Sequence, residues 1–185
     1  PKVGLKPPRF KTDLLLISRD NDEHNNTKAA LGKPYVIDSP GEYELHNVFV
    51  FGLPGFKDEK KEKGRQPLTM FLLQTEGVTL AHLSDITCVP SEKYLERLEN
   101  VDVLFIPIGN KNTLGAEQAT KLISEIEPRI VIPMYYKTPQ LKTDLEGVDK
   151  FAREMCLKGK EVSESINISK KYLRQEETKV YILKP

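Results

Sequence analysis

The sequence predicts an α/β (α+β) protein, β-rich in its first half and alternating in its second. Three observations predict it. Short, continuous apolar runs at Leu14-Leu15-Leu16-Ile17, Val103-Leu104-Phe105-Ile106 and Ile130-Val131-Ile132 read as buried strands. The turn pairs His46-Asn47 and Glu76-Gly77 each divide β-prone residues and read as hairpins. Helical spacing of apolar residues begins only after Pro90.

Taken in order, Leu14 to Ile17 empties into a dense polar loop, Ser18-Arg19-Asp20-Asn21-Asp22-Glu23-His24-Asn25-Asn26. A buried strand ending in such a loop is where α/β folds place their chemistry. Tyr35-Val36-Ile37-Asp38 is a second strand, and Ser39-Pro40-Gly41 a turn. Residues 43–53 hold the first hairpin, residues 57–65 a mixed-charge loop, and residues 70–83 the second hairpin. Ser91 is a candidate cap for a helix through Leu98. Thr113 is a candidate cap for a helix carrying Ala116, Ala119, Ile123 and Ile126, which must end before Pro128. Leu145, Val148, Phe151, Ala152 and Met155 mark a further helix, capped by Asp144 and stopped by Gly159. Val180-Tyr181-Ile182-Leu183 is the last strand.

A chain of 185 residues suits one core, so residues 1–185 are read as a single domain. Hydrophobic residues make up 38% and charged residues 30%, a globular composition. The net charge of +1 gives no long-range pull on nucleic acid or anionic lipid. No apolar run approaches a membrane span. Cys88 and Cys156 form no C-x-x-C pair and read as small apolar residues, which fits a reducing, cytoplasmic setting. No G-x-S-x-G elbow or phosphate loop appears. The chain opens with Pro1 rather than Met, so an N-terminally incomplete fold is expected.

Several segments together resemble the metallo-β-lactamase superfamily, in particular a prokaryotic branch of Zn-dependent hydrolase-like proteins. The loop from Ser18 to Asn26 looks like its first metal motif, H-x-H-x-D-H. Pro40-Gly41-Glu42-Tyr43-Glu44 resembles a turn of the branch, and Ala81-His82-Leu83-Ser84-Asp85 its H-L-G-D segment. Residues 101–109 resemble its V-D-V-L-x-I-P-V-G segment, and residues 126–136 its I-x-P-x-I-V-I-P-M-H-Y segment. The resemblance implies an αββα sandwich. Members of the branch begin with further strands, which implies either truncation here or an oligomer covering an open sheet edge.

The resemblance also assigns ligand positions. The nitrogen ligands of one metal fall on Arg19, Asn21 and Lys57, none of which is a histidine. Arg19 and Lys57 are cations and have no lone pair to give a metal. For the other metal, Glu23 stands where aspartate is expected, and His24 and Asp85 match, while Tyr135 replaces the last histidine. Glu23, His24 and Asp85 form the residual candidate site, with His24 and Asp85 as its working residues. Arg19 and Lys57 are expected to supply counter-charge to Glu23 and Asp85. Without the family, Asp85 reads equally as a turn residue, His46 as a hairpin tip, His82 as a hydrogen-bonded structural histidine, and Tyr135 and Tyr136 as strand-end packing.

Three functional readings follow, the third being a structural half of a larger assembly that supplies the missing N-terminal strands. The first is a pseudoenzyme: a non-hydrolytic protein that keeps the scaffold and binds a small-molecule or protein partner, with no metal. The second is a hydrolase with one zinc or other divalent ion, acting on an ester, thioester or phosphoester bond.

Overall fold

The computed structural model describes residues 8–21, 24–58, 65–159, 161–173 and 177–184. The chain opens with four short strands, β1 (Phe10–Lys11), β2 (Leu14–Leu16), β3 (Ala30–Leu31) and β4 (Tyr35–Ile37). They form two parallel pairs, β1 with β3 and β2 with β4. Leu14 to Leu16 are half-buried rather than covered on both faces; only Ile17 is fully buried. The reason is one-sided packing. Leu14 and Leu16 lie against Val50 and Phe71, while Tyr35 and Val36 of the partner strand are exposed.

The main sheet contains β5 (Gly41–Leu45), β6 (Val48–Asp58), β7 (Arg65–Thr75), β8 (Val78–His82), β9 (Val103–Pro107), β10 (Ile130–Met134), β11 (Glu161–Ser163) and β12 (Lys179–Leu183). Its order is β11-β12-β10-β9-β8-β7-β6-β5. The β5 to β8 half is antiparallel and the β8 to β11 half parallel. Both hairpins turn at the expected pairs. His46 and Asn47 have φ of 50° and 64°, and Glu76 and Gly77 have 50° and 73°. Paired positive φ values match the right-handed twist of the flanking strands. The strands β6 and β7 outrun the expected hairpins, so Lys57 and Arg65 belong to strands and only residues 59–64 lie outside the described chain.

Three helices, α1 (Glu92–Leu98), α2 (Ala116–Ile126) and α3 (Val148–Glu154), cover one face of the sheet. Leu98, Ala119, Leu122, Ile123 and Phe151 meet Met70, Leu72, Leu104 and Ile106 there, all almost wholly buried. The other face packs on the β2–β4 pair at one end, through Phe71 and Val50. At the other end it packs on residues 166–173, through Val103 and Ile132. Both faces of β9 and β10 are therefore covered, which is why their sequences are continuously apolar.

The helix starts differ from the sequence reading. Ser91 stands at the N-cap of α1, but its hydroxyl makes no capping bond. Gly115, not Thr113, precedes α2, and the Gln118 side chain accepts the Gly115 N–H at 3.2 Å. Thr113 is buried and bonds the Leu114 carbonyl instead. Gly147, not Asp144, precedes α3, which ends at Glu154, well before Gly159. Asp144 is exposed and pairs with Lys111 at 3.6 Å. Cys88 is half-buried, whereas Cys156 is exposed at the end of α3, so it is not a packed apolar residue. Among the described residues no helix is long and apolar enough to cross a membrane.

Candidate metal centre

The carboxyl ends of the central strands build one edge of the sheet, and the loop after β2 folds onto it. That loop is anchored where the Thr69 N–H donates to the Ser18 carbonyl at 2.7 Å. The anchor brings Arg19 and His24 over the end of β8. There Asp85 is fully buried. Arg19 Nη2 lies 3.1 Å from Asp85 Oδ2, with only 8% of the arginine side chain exposed. His24 Nε2 lies 3.4 Å from the same oxygen. His24 Nδ1 faces Ser18 Oγ at 3.4 Å.

Asp85 reaches this point through a strained turn. Ser84 has φ of 58°, the left-handed region that costs a non-glycine residue about 1 kcal/mol. Its hydroxyl donates to the Thr69 carbonyl at 2.6 Å, and its N–H donates to His82 Nδ1 at 3.2 Å. These bonds hold the turn. The sequence signal was available: Ser84 occupies the glycine place of H-L-G-D, and a glycine there points to positive φ.

Tyr135 closes one flank. Its ring lies parallel to the His24 imidazole, 3° between planes and 6.4 Å between centroids. Its φ is 60°, and its carbonyl approaches the chain at Gly109 so closely that a Cβ at Gly109 would sit 2.1 Å from it. No side chain fits there. Tyr136 is instead packed inward, its hydroxyl donating to the Leu183 carbonyl at 3.0 Å, and burial pushes its phenol above the ordinary value.

The structure thus brings Arg19, His24, Asp85 and Tyr135 together. Asn21 is in the same loop, where its side-chain oxygen accepts the His24 N–H at 3.0 Å. Glu23 lies outside the described residues, and the Lys57 side chain is likewise outside them, although its backbone pairs with Gln66. His46 sits at its hairpin tip, away from this edge. Sequence reasoning set His82 aside as structural. It is held below its usual pKa of 6.5, first by burial, against which its backbone hydrogen bond acts, and then by the nearby His24.

A family model for the β-lactamase superfamily domain matches residues 1–135. A crystal structure of a Thermotoga maritima protein of the metallo-β-lactamase superfamily superposes with a TM-score of 0.76 at 25% identity, covering 96% of this chain and 85% of that one. The chain belongs to the metallo-β-lactamase superfamily. Its sheet, the helices on one face and the short strand pairs on the other are layers of that sandwich. A Pyrococcus furiosus protein named a UPF0173 metal-dependent hydrolase is 34% identical over 181 residues, covering 83% of this chain and 80% of its own. A Pyrococcus abyssi protein of the same name is 26% identical over 179 residues, covering 81% and 79%.

Metallo-β-lactamase chemistry needs nitrogen and carboxylate donors converging on an ion. A two-ion set does not fit this chain, because the Arg19 guanidinium stands against the buried Asp85 carboxylate where a donor would have to be. Among the described residues no group of three or more His, Cys, Asp or Glu side chains gathers as a metal site. Two donors do meet. His24 Nε2 is buried, makes no hydrogen bond to a described residue, and lies 3.4 Å from Asp85 Oδ2. That orphaned nitrogen beside a carboxylate suits a single ion.

Proposed function

We propose that the chain is a hydrolase of an ester, thioester or phosphoester bond that works with one divalent ion where its relatives' motif provides for two. The observation that carries this is the meeting of the orphaned His24 Nε2 with Asp85 at 3.4 Å, in a chain whose relatives are named metal-dependent hydrolases. His24 and Asp85, with Glu23, are the residues to hold the ion. When bound, such an ion polarises the substrate oxygen and lowers the pKa of a water.

The remaining work belongs to the chain itself. Arg19 keeps a fixed positive charge in the site in place of the second ion. It also holds Asp85 Oδ2, which fixes that carboxylate's rotation. Ser18 and Tyr135 flank the His24 ring and limit its tilt. Hydrolysis breaks the bond from the acyl carbon or phosphorus to its leaving oxygen or sulfur. The hydroxyl of water joins the acyl or phosphoryl group, and the proton goes to the leaving atom.

A second reading, a non-hydrolytic binding protein, draws support from the same Arg19–Asp85 pair, because it places a counter-charge beside a buried carboxylate with no metal. One experiment separates the two. Protein purified without chelator is dialysed against zinc or manganese, its metal is measured by elemental mass spectrometry, and ester, thioester and phosphodiester substrates are screened. The hydrolase reading expects a single ion per chain and turnover, both lost in His24→Ala that remains folded. No retained ion and no turnover would leave the binding reading standing.

A further inference from the structure

We propose that the sheet face beneath the metal centre carries an acyl-binding pocket, where His82 donates a hydrogen bond from Nε2 to the carbonyl oxygen of an apolar ester or thioester. This assigns a substrate class within the hydrolase reading and rests on it for the reaction, but the pocket itself stands on its own geometry. A cavity of roughly 340 Å³ lies between β2 and strands β7 to β9, within the size range of small-molecule sites. Leu80, Phe71 and Phe105 are among its apolar walls, and Ser18, His24 and His82 are its polar groups.

His24 belongs to both places. Its Nε2 lies 3.4 Å from Asp85 Oδ2, and the residue also lines the cavity, so the apolar chamber adjoins the candidate metal centre directly. His82 has its tautomer set. The Ser84 N–H donates to Nδ1 at 3.2 Å, so Nδ1 carries no proton and the neutral ring carries it on Nε2. Burial favours that neutral ring. The imidazole leans on Phe105, with 5.9 Å between ring centroids. His82 is one of the few polar groups on walls that are mostly apolar, and a donor in such a setting calls for an acceptor.

The ligand that answers this arrangement is apolar with one uncharged acceptor. A phosphoester, charged throughout, would lose its hydration against leucine and phenylalanine and is disfavoured. An acyl ester or thioester places its tail on the apolar walls and its carbonyl between His82 and the His24–Asp85 end.

The probe is octanamide, which keeps the carbonyl and resists hydrolysis, titrated calorimetrically into the intact protein. Saturable binding is expected. Octylammonium, which offers donors only, should bind about tenfold more weakly. His82→Phe keeps the ring and removes the donor, so it should weaken octanamide about tenfold, while His82→Gln restores much of the loss. Leu80→Trp should fill the cavity and abolish binding. Leu16→Trp, from the opposite wall, serves if the first variant does not fold by circular dichroism. No saturable binding, or equal binding by the parent and every folded variant, overturns the pocket. Octanamide binding without turnover of an octanoyl thioester would keep the pocket and remove the hydrolase reading. Turnover of acetyl esters without octanamide binding would do the reverse.

Discussion

Asp85 and Asp102 are two buried aspartates, 0% and 2% exposed, at opposite ends of the parallel strands. Asp85 follows the carboxyl end of β8, and Asp102 precedes the amino end of β9. Asp102 accepts the Thr79 N–H at 2.9 Å, and two cations approach it, Arg129 at 3.2 Å and Lys170 at 3.4 Å. Those cations are 44% and 63% exposed, and water shares the work of neutralising the carboxylate. Asp102 ties the start of β8 to the start of β10 and to the segment before β12, and does nothing else visible. Asp85 instead faces an arginine that is itself buried and a histidine whose nitrogen is left over. A satisfied carboxylate with wet partners is a fastener. A carboxylate sharing a dry edge with a cation and an idle donor is a candidate site.

Breaking that contrast gives its largest effect at the dry end. Arg19→Ala removes a buried cation 3.1 Å from the fully buried Asp85 carboxylate, and should lower stability by about 3–5 kcal/mol in denaturant unfolding. An unchanged unfolding midpoint would mean that Arg19 does not support Asp85. Asp102→Ala should cost less, about 1–2 kcal/mol, because its cations are 44% and 63% exposed and the Thr79 N–H loses its acceptor. A loss equal to that of Arg19→Ala would erase the distinction.

The next effect is one of pH. His82 has a lowered pKa in the fold, so the unfolded chain takes up its proton first. Its contribution is complete above the unfolded value of 6.5 and is lost as pH falls below it toward the folded value. The parent should therefore lose more stability than His82→Gln on acidification from about pH 7.5 to about pH 5. Parallel curves would refute this. The smallest effect is at the turn that delivers Asp85. Ser84→Gly relieves the positive φ and loses the bond to Thr69, whereas Ser84→Ala loses the bond and keeps the strain. The glycine variant should be the more stable of the two by about 1 kcal/mol.

Much of the fold was legible because Val103 to Ile106 and Ile130 to Ile132 are apolar without a break, and His46-Asn47 and Glu76-Gly77 are turn formers with a mechanism. The helix starts at Gly115 and Gly147 were not, since both backbones cap without a side-chain oxygen and nearby Thr113 and Asp144 offered a stronger local signal. Leu14 to Leu16 looked doubly buried because a run of leucine says nothing about how many layers will cover it. At the site, the meeting of Arg19, His24 and Asp85 came from the motif resemblance; their own spacing along the chain carries no such information. Asp102, Gly109 and the cavity beside His82 went unread, because each depends on which segments meet across the sheet.

The Arg19–Asp85 pair has a consequence for how this edge fares when metal is scarce. The guanidinium of Arg19 is joined to the chain by covalent bonds. Chelators cannot strip it away and starvation cannot dilute it. An edge built this way needs no ion to hold its shape, and under the proposed function losing the ion would silence the chemistry and leave the architecture intact.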